Sequence, residues 1–215
     1  MKSIFDPGLI FYLPLYECDG SALMSRDARG HLCTVTGAVW RHDGRYFDGS
    51  DDKVISGFNV LEDYPFTLAV WMKAETEGYV SALSIGNNAH TSKNFFMGQA
   101  DDSSGRAMLW VRNTTPYKIH SSNSIVDGTW HFLVGLYHNP SLREMYLDAR
   151  YQGNSSSYGG TYASIGVNEL AVGCIVRSAH AGFWDGTIGE VFIYNRALTP
   201  QEIQQNYLAT KWKYQ

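Results

Sequence analysis

The sequence predicts an all-β fold in which two antiparallel sheets form a sandwich and one short helix lies near the C-terminus. Turn signals such as Asp43-Gly44 and Asp185-Gly186 recur along the chain, and most of them are separated by ~8 to 13 residues, a spacing typical of sandwiches and barrels. The segments between the turns are rich in β-branched and aromatic residues, which favour strands. Because no helical pattern separates consecutive strands, antiparallel pairing is expected.

The predicted strands alternate with these turns along the chain. A polar, glycine-rich run at residues 153–160 interrupts the alternation and is expected to be a flexible surface loop. In chain order, the predicted strands are residues 66–72, 79–85, 107–112, 130–137, 144–147, 170–176 and 188–194.

The C-terminal helix is predicted from its N-terminal signals. Thr199 can serve as the N-cap, Pro200 fits the first helical position and Glu202 completes a reciprocal capping box. Ile203, Tyr207 and Leu208 then place apolar side chains on one face. The helix is expected to begin just after Thr199 and to pack on the sandwich through this face.

Composition and charge exclude several function classes. The chain has 215 residues, 44% of them hydrophobic and 18% charged, so one globular domain spanning residues 1–215 is expected and disorder is excluded. The formal net charge is −4 and the charges are scattered, so nucleic acid is not an expected partner. No apolar stretch approaches the ~20 residues that cross a bilayer. The first residues lack the apolar segment of a signal peptide, so export, if it occurs, is encoded elsewhere.

The three cysteines, Cys18, Cys33 and Cys174, form no CxxC motif. An odd number of cysteines in a chain large enough to fold without disulfides favours reduced, structural thiols. A bridge between Cys18 and Cys33 is the alternative.

Residues 45–54, with the sequence RYFDGSDDKV, carry a resemblance to a known family. Together with five further segments in matching order, they make the chain resemble the laminin-G-like jelly roll of the concanavalin A-like lectin and glucanase superfamily. The resemblance implies a concanavalin A-like jelly roll over nearly the whole chain. The five further segments are residues 8–15, 66–73, 128–132, 145–148 and 186–199, of which the last joins an amphipathic strand to a capped helix.

Two positions depart from the pattern of this family. The hairpin that usually contains Asp-Gly has Asp148-Ala149 here, and alanine resists the positive φ of a two-residue primed turn. A longer turn, or one of another type, is therefore expected. The closing strand often reads Ile-Asp-Glu-Val in the family, and Gly189 takes the place of that aspartate.

The same resemblance implies one structural Ca²⁺ on the convex side of the sandwich. The implied ligands are Asp27, the carbonyl of Gly49 and Glu190. Calcium takes about six to eight oxygen ligands, so a site built of carbonyls and one or two acids is chemically reasonable. In the alternative interpretation, Asp27 caps its local loop and the acidic run around Gly49 forms a turn.

Catalysis is not favoured by the residues of the expected active-site strand. Carbohydrate-cleaving relatives carry the pattern E-x-D-x-x-E on a concave strand, because glycoside hydrolysis needs an acid and a second carboxylate. The corresponding residues 95–100 contain no carboxylate, and Asp101 and Asp102 resemble turn formers. The strand around His120 is only faintly similar to the histidine strand of alginate lyases. A hydrolase or lyase that uses Tyr117, His120 or this aspartate pair is the alternative.

Sugar binding requires an aromatic ring that stacks on a pyranose and planar polar groups beside it. Strand alternation places Met108, Trp110 and Arg112 on one face, and Leu109 and Val111 on the other. Trp110 and Arg112 are therefore the predicted platform, with burial of Trp110 between the sheets as the alternative. Rim loops are expected to add Asn87, Asn88, His90, Tyr117, Tyr158, Tyr162, His180 and Trp184.

The sequence as a whole predicts a non-catalytic recognition module with a glycan or polysaccharide as its partner. An adhesion or virion-decorating role suits such a module, and with it an extracellular, cell-surface or virion-associated location. The alternatives are a polysaccharide-degrading enzyme of the same fold and a structural module whose exposed aromatic residues contact another protein. Two titratable groups converging in a groove would indicate the enzyme. A flat aromatic patch would indicate the protein contact, and the oligomeric state stays open.

Overall fold

The computed structural model describes residues 6–57, 59–100 and 102–215 and contains two antiparallel sheets of eight strands each. Its helices are α1 (Tyr162–Ile165) and α2 (Pro200–Thr210), and a 3-10 turn at Lys211–Lys213 follows α2. The strands are β1 (Leu9–Pro14), β2 (Ala22–Met24), β3 (Leu32–Thr36), β4 (Val39–Arg41), β5 (Gly44–Asp48), β6 (Lys53–Ser56), β7 (Phe66–Ala74), β8 (Ser81–Gly86), β9 (Lys93–Gln99), β10 (Arg106–Asn113), β11 (Thr115–Ser124), β12 (His131–Tyr137), β13 (Arg143–Leu147), β14 (Arg150–Ser155), β15 (Glu169–Val172) and β16 (Asp185–Tyr194).

The first sheet has the order β14-β13-β12-β7-β16-β5-β4, with β1 also paired to β16, and the second has the order β11-β10-β9-β8-β15-β6-β3-β2. The pairs between these strands are antiparallel. The predicted two-sheet jelly-roll sandwich is therefore confirmed. The edge strands β11 and β14 meet at one side, where the backbone N–H of Ser122 donates to Oε1 of Gln152 at 3.1 Å.

The main hydrophobic core lies between the sheets. Alternate residues of the central strands point into it, such as Val70 of β7 and Leu109 of β10. A second cluster lies on the outer face of the first sheet and contains Trp71 and Phe132, with Ile203 of α2 packed among them. Helix α2 therefore covers the first sheet with Ile203 and Tyr207, as predicted, whereas Leu208 is 58% exposed and does not join this face.

Helix α2 begins where the sequence predicts. The Thr199 hydroxyl accepts the backbone N–H of Glu202, and the Glu202 carboxylate accepts the N–H of Thr199 at 2.8 Å. The Arg196 guanidinium also binds the Glu202 carboxylate, which lowers the pKa of Glu202 to about 2. A capping box and an ion pair together set the start of the helix.

One predicted strand ends earlier than expected. β15 stops at Val172 because Gly173 adopts a φ of 84°, and residues 174–183 then turn onto the outer face of the second sheet. There the Ser84 hydroxyl donates to the Cys174 carbonyl at 2.7 Å and accepts the N–H of Val176 at 2.9 Å. This segment covers part of the face that was expected to be open.

The expectation of a longer turn, or one of another type, at Asp148-Ala149 is wrong. These two residues alone join β13 to β14, with φ of 51° and 61°. The Asp148 carboxylate accepts the N–H of Phe132 at 2.8 Å and binds Nδ1 of His131 at 2.8 Å. These bonds to β12 hold a primed turn that alanine by itself disfavours.

The cysteines agree with the expectation of reduced thiols. All three are free, so a bridge between Cys18 and Cys33 does not form. Burial raises the pKa of Cys33 and of Cys174 to about 12, which makes both thiols weak nucleophiles at neutral pH.

No helix among the described residues is long and apolar enough to cross a bilayer.

Candidate functional site

Trp110 lies on the outer face of the second sheet, as strand alternation predicts, since Leu109 and Val111 point into the main core. It is nevertheless only 5% exposed. Its ring stacks on Phe96 with 5.1 Å between centroids, and the Lys118 ammonium lies 4.7 Å from the Trp110 centroid. The expectation of an open platform at Trp110 is therefore wrong, because neighbouring strands supply side chains that cover the ring.

Three other aromatic residues that were predicted as ligand contacts are either buried or lie on the inner side of the sheet. Trp184 and Tyr162 are 0% and 4% exposed, and the Tyr162 hydroxyl donates to Oδ1 of Asn59 at 2.7 Å. Neither ring is accessible to a sugar. Tyr117 pairs with the core residue Val111 in the β10–β11 register, so it lies on the opposite side of the sheet from Trp110.

The fold does bring together several predicted polar residues at one end of the second sheet. His180 Nε2 lies 2.6 Å from Oε1 of Glu169, and Asn88 Nδ2 donates to Oε2 of the same carboxylate at 3.0 Å. The N–H of Ser178 donates to the His90 carbonyl at 3.1 Å, which joins the two loops. Glu169 was missed by the sequence analysis. Contacts of Asn88, His90 and His180 with a ligand stay predictions.

Arg112, the other half of the predicted platform, lies on the outer face beside Asn94 in the β9–β10 register. It is partly exposed, and its Nε donates to the carbonyl of Thr114 at 3.4 Å. Without an open Trp110 beside it, Arg112 has no stacking partner for a sugar on this face. Its role as a ligand contact also stays a prediction.

The residues implied as calcium ligands do not converge on one point. Asp48 and Asp185 are paired between β5 and β16, and Gly49 follows Asp48. Glu190 lies further along β16, about 16 Å from Asp185 at ~3.3 Å per residue. Calcium–oxygen distances of about 2.3–2.6 Å cannot bridge that separation.

Local partners also occupy the carboxylates of this set. Asp27 Oδ1 accepts the N–H of Arg29 at 2.9 Å, so Asp27 caps its own loop. Glu190 is fully buried, and its Oε1 accepts the Lys213 ammonium at 2.7 Å and the Tyr12 hydroxyl at 2.6 Å. An internal cation therefore neutralises Glu190. The three residues implied by the resemblance do not fit a calcium ion.

A nearby acidic group has the geometry of a turn. Asp48, Asp51 and Asp52 place ligand oxygens within 4.8 Å of one another. Asp52 accepts the N–H of Asp48 at 3.0 Å, and Asp48 accepts the N–H of Ser50 at 2.9 Å. These bonds account for the arrangement without a metal.

A groove of about 750 Å³ lies where the β13–β14 hairpin faces helix α2, and we call it the hairpin groove. The hairpin contributes charged, aromatic and amide side chains, and the helix and the turn after it contribute an amide, a phenol and an ammonium. The residues concerned are Arg150, Tyr151 and Gln152 from the hairpin, Gln204, Tyr207 and Lys211 from the helix side, and Asn123, Asp127, His131 and Asp148 from neighbouring strands and loops.

Tyr151 gives the hairpin groove an aromatic surface. It lies opposite Tyr146 in the β13–β14 register, and the two rings meet edge to face with 5.4 Å between centroids. Tyr151 remains 51% exposed, whereas Trp110 is covered. The Tyr151 ring is therefore accessible to the apolar face of a pyranose.

His131 connects the two carboxylates of the hairpin groove. Its Nδ1 lies 2.8 Å from Oδ2 of Asp148, and its Nε2 lies 3.2 Å from Oδ1 of Asp127. Burial acts to lower the pKa of His131, but hydrogen bonds and charges from Asp148 and Asp127 outweigh it and raise the pKa. Burial likewise acts to raise the pKa of Asp127, but hydrogen bonds from Thr129 and the nearby His131 outweigh it and lower the pKa. Hydrogen bonds thus hold the His131 imidazole between the carboxylates of Asp148 and Asp127.

The sequence analysis did not find the hairpin groove. Its residues come from distant segments, such as Asp127, Tyr151 and Gln204, and no spacing connects them. The one usable signal is Arg150 and Gln152 on either side of an aromatic residue, directly after a turn. That pattern becomes informative only when the fold places α2 beside the hairpin.

Sequence comparison agrees with this architecture. The model of a laminin-G-like family, described as the concanavalin A-like lectin/glucanases superfamily, matches residues 48–204. The chain therefore belongs to this family, and the resemblance inferred from its motifs is confirmed. No curated protein matches the chain by sequence.

Solved structures show the same fold. Domain 4 of AbnA, an extracellular arabinanase of Geobacillus stearothermophilus in complex with arabinotriose, matches with a TM-score of 0.71 and 17% identity, over 92% of this chain and 97% of that one. Trypanosoma rangeli sialidase in complex with sialic acid matches with a TM-score of 0.76 and 17% identity, over 98% of this chain and 34% of that one. The CBM40 of Ruminococcus gnavus IT-sialidase, bound to α2,3-sialyllactose, matches with a TM-score of 0.59 and 16% identity, over 67% of this chain and 83% of that one.

Proposed function

We propose that this chain is a non-catalytic carbohydrate-binding module and that the hairpin groove holds the sugar. The observation that carries the proposal is the half-exposed Tyr151 ring, set among amide and charged side chains in a groove of about 750 Å³. Ligand clefts commonly measure about 300–1,000 Å³. Stacking on Tyr151 supplies apolar contact, while Gln204 and Asn123 offer donors and acceptors to the sugar hydroxyls.

Binding without cleavage is supported by the state of the titratable groups. Glycoside hydrolysis needs a carboxylic acid of raised pKa and a second, free carboxylate. The pKa of Asp127 is lowered instead, and Asp148 is held by the N–H of Phe132 and by His131. Asp127 is then not available as a general acid at neutral pH, and the Asp148 carboxylate is already occupied by internal partners.

The acid and base candidates outside the groove give no better support to an enzyme. Asp102 is paired with Arg106. His120 lies in the same register row as Met108 and interacts with Arg106, whose Nη2 is 3.2 Å from Nδ1 of His120. Asp101 lies outside the described residues.

Proteins of the same fold support an oligosaccharide as the ligand class. The Geobacillus stearothermophilus domain was solved with arabinotriose, and it is matched over 97% of its length. The Ruminococcus gnavus CBM40 was solved with sialyllactose. A lectin-like adhesion role, with an extracellular, cell-surface or virion-associated location, suits a module that binds sugar without cleaving it.

Glycan-array binding by wild type and by Tyr151→Ala tests the proposal. Loss of the ring should weaken retention of the bound glycans by about two- to tenfold, since an aromatic contact contributes ~0.5–1.5 kcal/mol beyond the area it buries. The melting temperature should change little, because Tyr151 is half exposed. Tyr158→Ala is the matched control, since Tyr158 is 57% exposed and is not a lining residue of the groove.

Three outcomes would contradict the proposal. Equal retention by wild type and Tyr151→Ala would place the sugar elsewhere. Release of reducing ends or unsaturated products from a polysaccharide panel by the pure protein would establish the enzyme alternative. Failure to retain any glycan, with self-association through exposed aromatic residues, would favour a structural protein-contact module.

A further inference from the structure

We propose that the hairpin groove selects glycans that carry an acidic group, either a carboxylate or a sulfate. This inference rests on the proposed function and concerns the same groove. The groups that would bind the acid are the guanidinium of Arg150, on the hairpin, and the ammonium of Lys211, on the turn after α2. The two cations thus come from opposite walls of the groove.

Lys211 lies close to Tyr207, and the charge of Arg150 acts on the same phenol. The Lys211 ammonium is 5.5 Å from the centroid of the Tyr207 ring. Burial raises the pKa of Tyr207, and so does the charge of Asp148, whereas the charge of Arg150 opposes them. Arg150 is therefore within electrostatic reach of the same phenol. An acidic group near Tyr207 would be attracted by both cations and repelled by Asp148, whose carboxylate is held by His131.

Neither cation is neutralised by a carboxylate of the described residues. In the described ranges of the chain, neither Arg150 nor Lys211 forms an ion pair. The carboxylates of the groove, Asp127 and Asp148, are both engaged with His131. When His131 is protonated, the positive charges that line the groove outnumber its carboxylates. Arg150 and Lys211 therefore remain available to an anionic ligand.

The chemistry of the two side chains suits an acid carried on a sugar. A guanidinium is planar and binds carboxylate or sulfate oxygens through two parallel hydrogen bonds, and an ammonium adds a compact charge. Tyr151 supplies the stacking surface for the ring that carries the acid. Selection thus requires sugar and acid together, so inorganic sulfate or acetate should bind far more weakly than the glycan.

Calorimetric titration with matched ligand pairs tests the inference. One pair is a uronic-acid oligosaccharide and the same oligosaccharide with its carboxyl groups reduced to alcohols, and the other is a sulfated oligosaccharide and its desulfated form. We expect the acidic member to bind about tenfold tighter than its neutral partner, since each charge-assisted hydrogen bond contributes more than a neutral one. The preference should shrink between about 50 and 300 mM NaCl, because salt screens exposed charges.

The variants Arg150→Gln and Lys211→Gln should each reduce the ratio of acidic to neutral affinity, and the double variant should bring that ratio close to one. Arg29→Gln is the control, because it removes the same charge from an exposed position that does not line the groove. Arg112→Gln tests the predicted contact on the outer face of the second sheet. Equal affinity of the wild type for both members of each pair, with binding lost in Tyr151→Ala, would overturn acid selection while the proposed function stands. A preference that survives the double variant but disappears in Arg112→Gln would overturn it too. Absence of binding to any ligand would refute the proposed function itself.

Discussion

The turn at Asp148 and Ala149 has a strained backbone, and the Asp148 carboxylate in it contacts His131 in the hairpin groove. Asp148 and Ala149 have φ of 51° and 61°, and a left-handed conformation costs about 1–2 kcal/mol per non-glycine residue. The Asp148 carboxylate offsets part of this cost through its bonds to the Phe132 N–H and to His131. One side chain thus holds the turn in place and orients the imidazole in the groove.

Replacing His131 by Asn should therefore destabilise the protein more at about pH 6 than at about pH 9. The folded-state pKa of His131 is raised, so its charged network stabilises the fold fully below the unfolded pKa of ~6.5 and is lost as pH rises through the folded pKa. Asp127 has a lowered pKa, so its contribution is lost only in acid, well below either test condition. We expect the free energy of unfolding to fall by about 1–3 kcal/mol at the lower pH.

Urea denaturation of both proteins at the two pH values measures this difference. His42→Asn is the control, because His42 is exposed and lies outside the groove. If His131→Asn lost the same free energy of unfolding at both pH values, the proposed charge state of His131 would be wrong.

At the scale of elements, helix α2 is both a cover for the first sheet and a wall of the groove. Ile203 and Tyr207 pack in the cluster that contains Trp71, and Gln204 together with the edge of Tyr207 lines the groove. The start of the helix is set by Thr199 and Glu202. Ligand binding in the groove should consequently depend on a cap that does not touch the ligand.

Thr199→Ala should lower the free energy of unfolding by about 1 kcal/mol, the usual effect of removing an N-cap hydroxyl. Glycan affinity should fall as well, because fraying of α2 loosens the wall that carries Gln204. Thr199→Ser keeps the hydroxyl and should retain both properties. Denaturation curves and glycan titrations of the three proteins measure the effect, and unchanged affinity in a destabilised Thr199→Ala would contradict the coupling.

Prediction from sequence succeeded at this scale where the signals are local. The capping box at Thr199 and the alternation of Leu109 and Val111 with Trp110 depend on residues a few positions apart, and both are confirmed. The cover over Trp110 could not be predicted, because Lys118 and Phe96 reach it from neighbouring strands. The hairpin groove was missed for the same reason, since its walls are brought together only by the packing of α2 on the first sheet.

At the scale of the whole molecule, the residues after α2 join the helix to the first sheet. The Tyr214 ring stacks on Trp71 and packs against Trp130, each with 4.6 Å between centroids. Lys213 neutralises the buried Glu190. Gly189 makes room for this packing, because a Cβ at that position would lie 2.4 Å from the Tyr214 hydroxyl oxygen.

Gly189→Ala should destabilise the protein by about 1–3 kcal/mol, the usual effect of forcing extra volume into a packed site. In a Tyr214→Ala background the same substitution should have almost no effect, because the obstructing ring is gone. A double-mutant cycle by urea denaturation measures this coupling, which should reach about 1 kcal/mol or more. Gly57→Ala is the control, since a Cβ there meets nothing within 4 Å. Strict additivity would show that Gly189 is required for another reason.

The contact between Gly189 and Tyr214 predicts how these two positions vary among related sequences. Two alignment columns that are separated by a whole helix should vary together, because a side chain in the first excludes an aromatic ring from the second. Relatives with the aspartate that is common at the position of Gly189 should therefore carry a small residue, or a differently placed tail, at the position of Tyr214. Relatives with glycine there should keep the ring. The pair would then distinguish a subgroup of the family in which the residues after α2 pack on the first sheet.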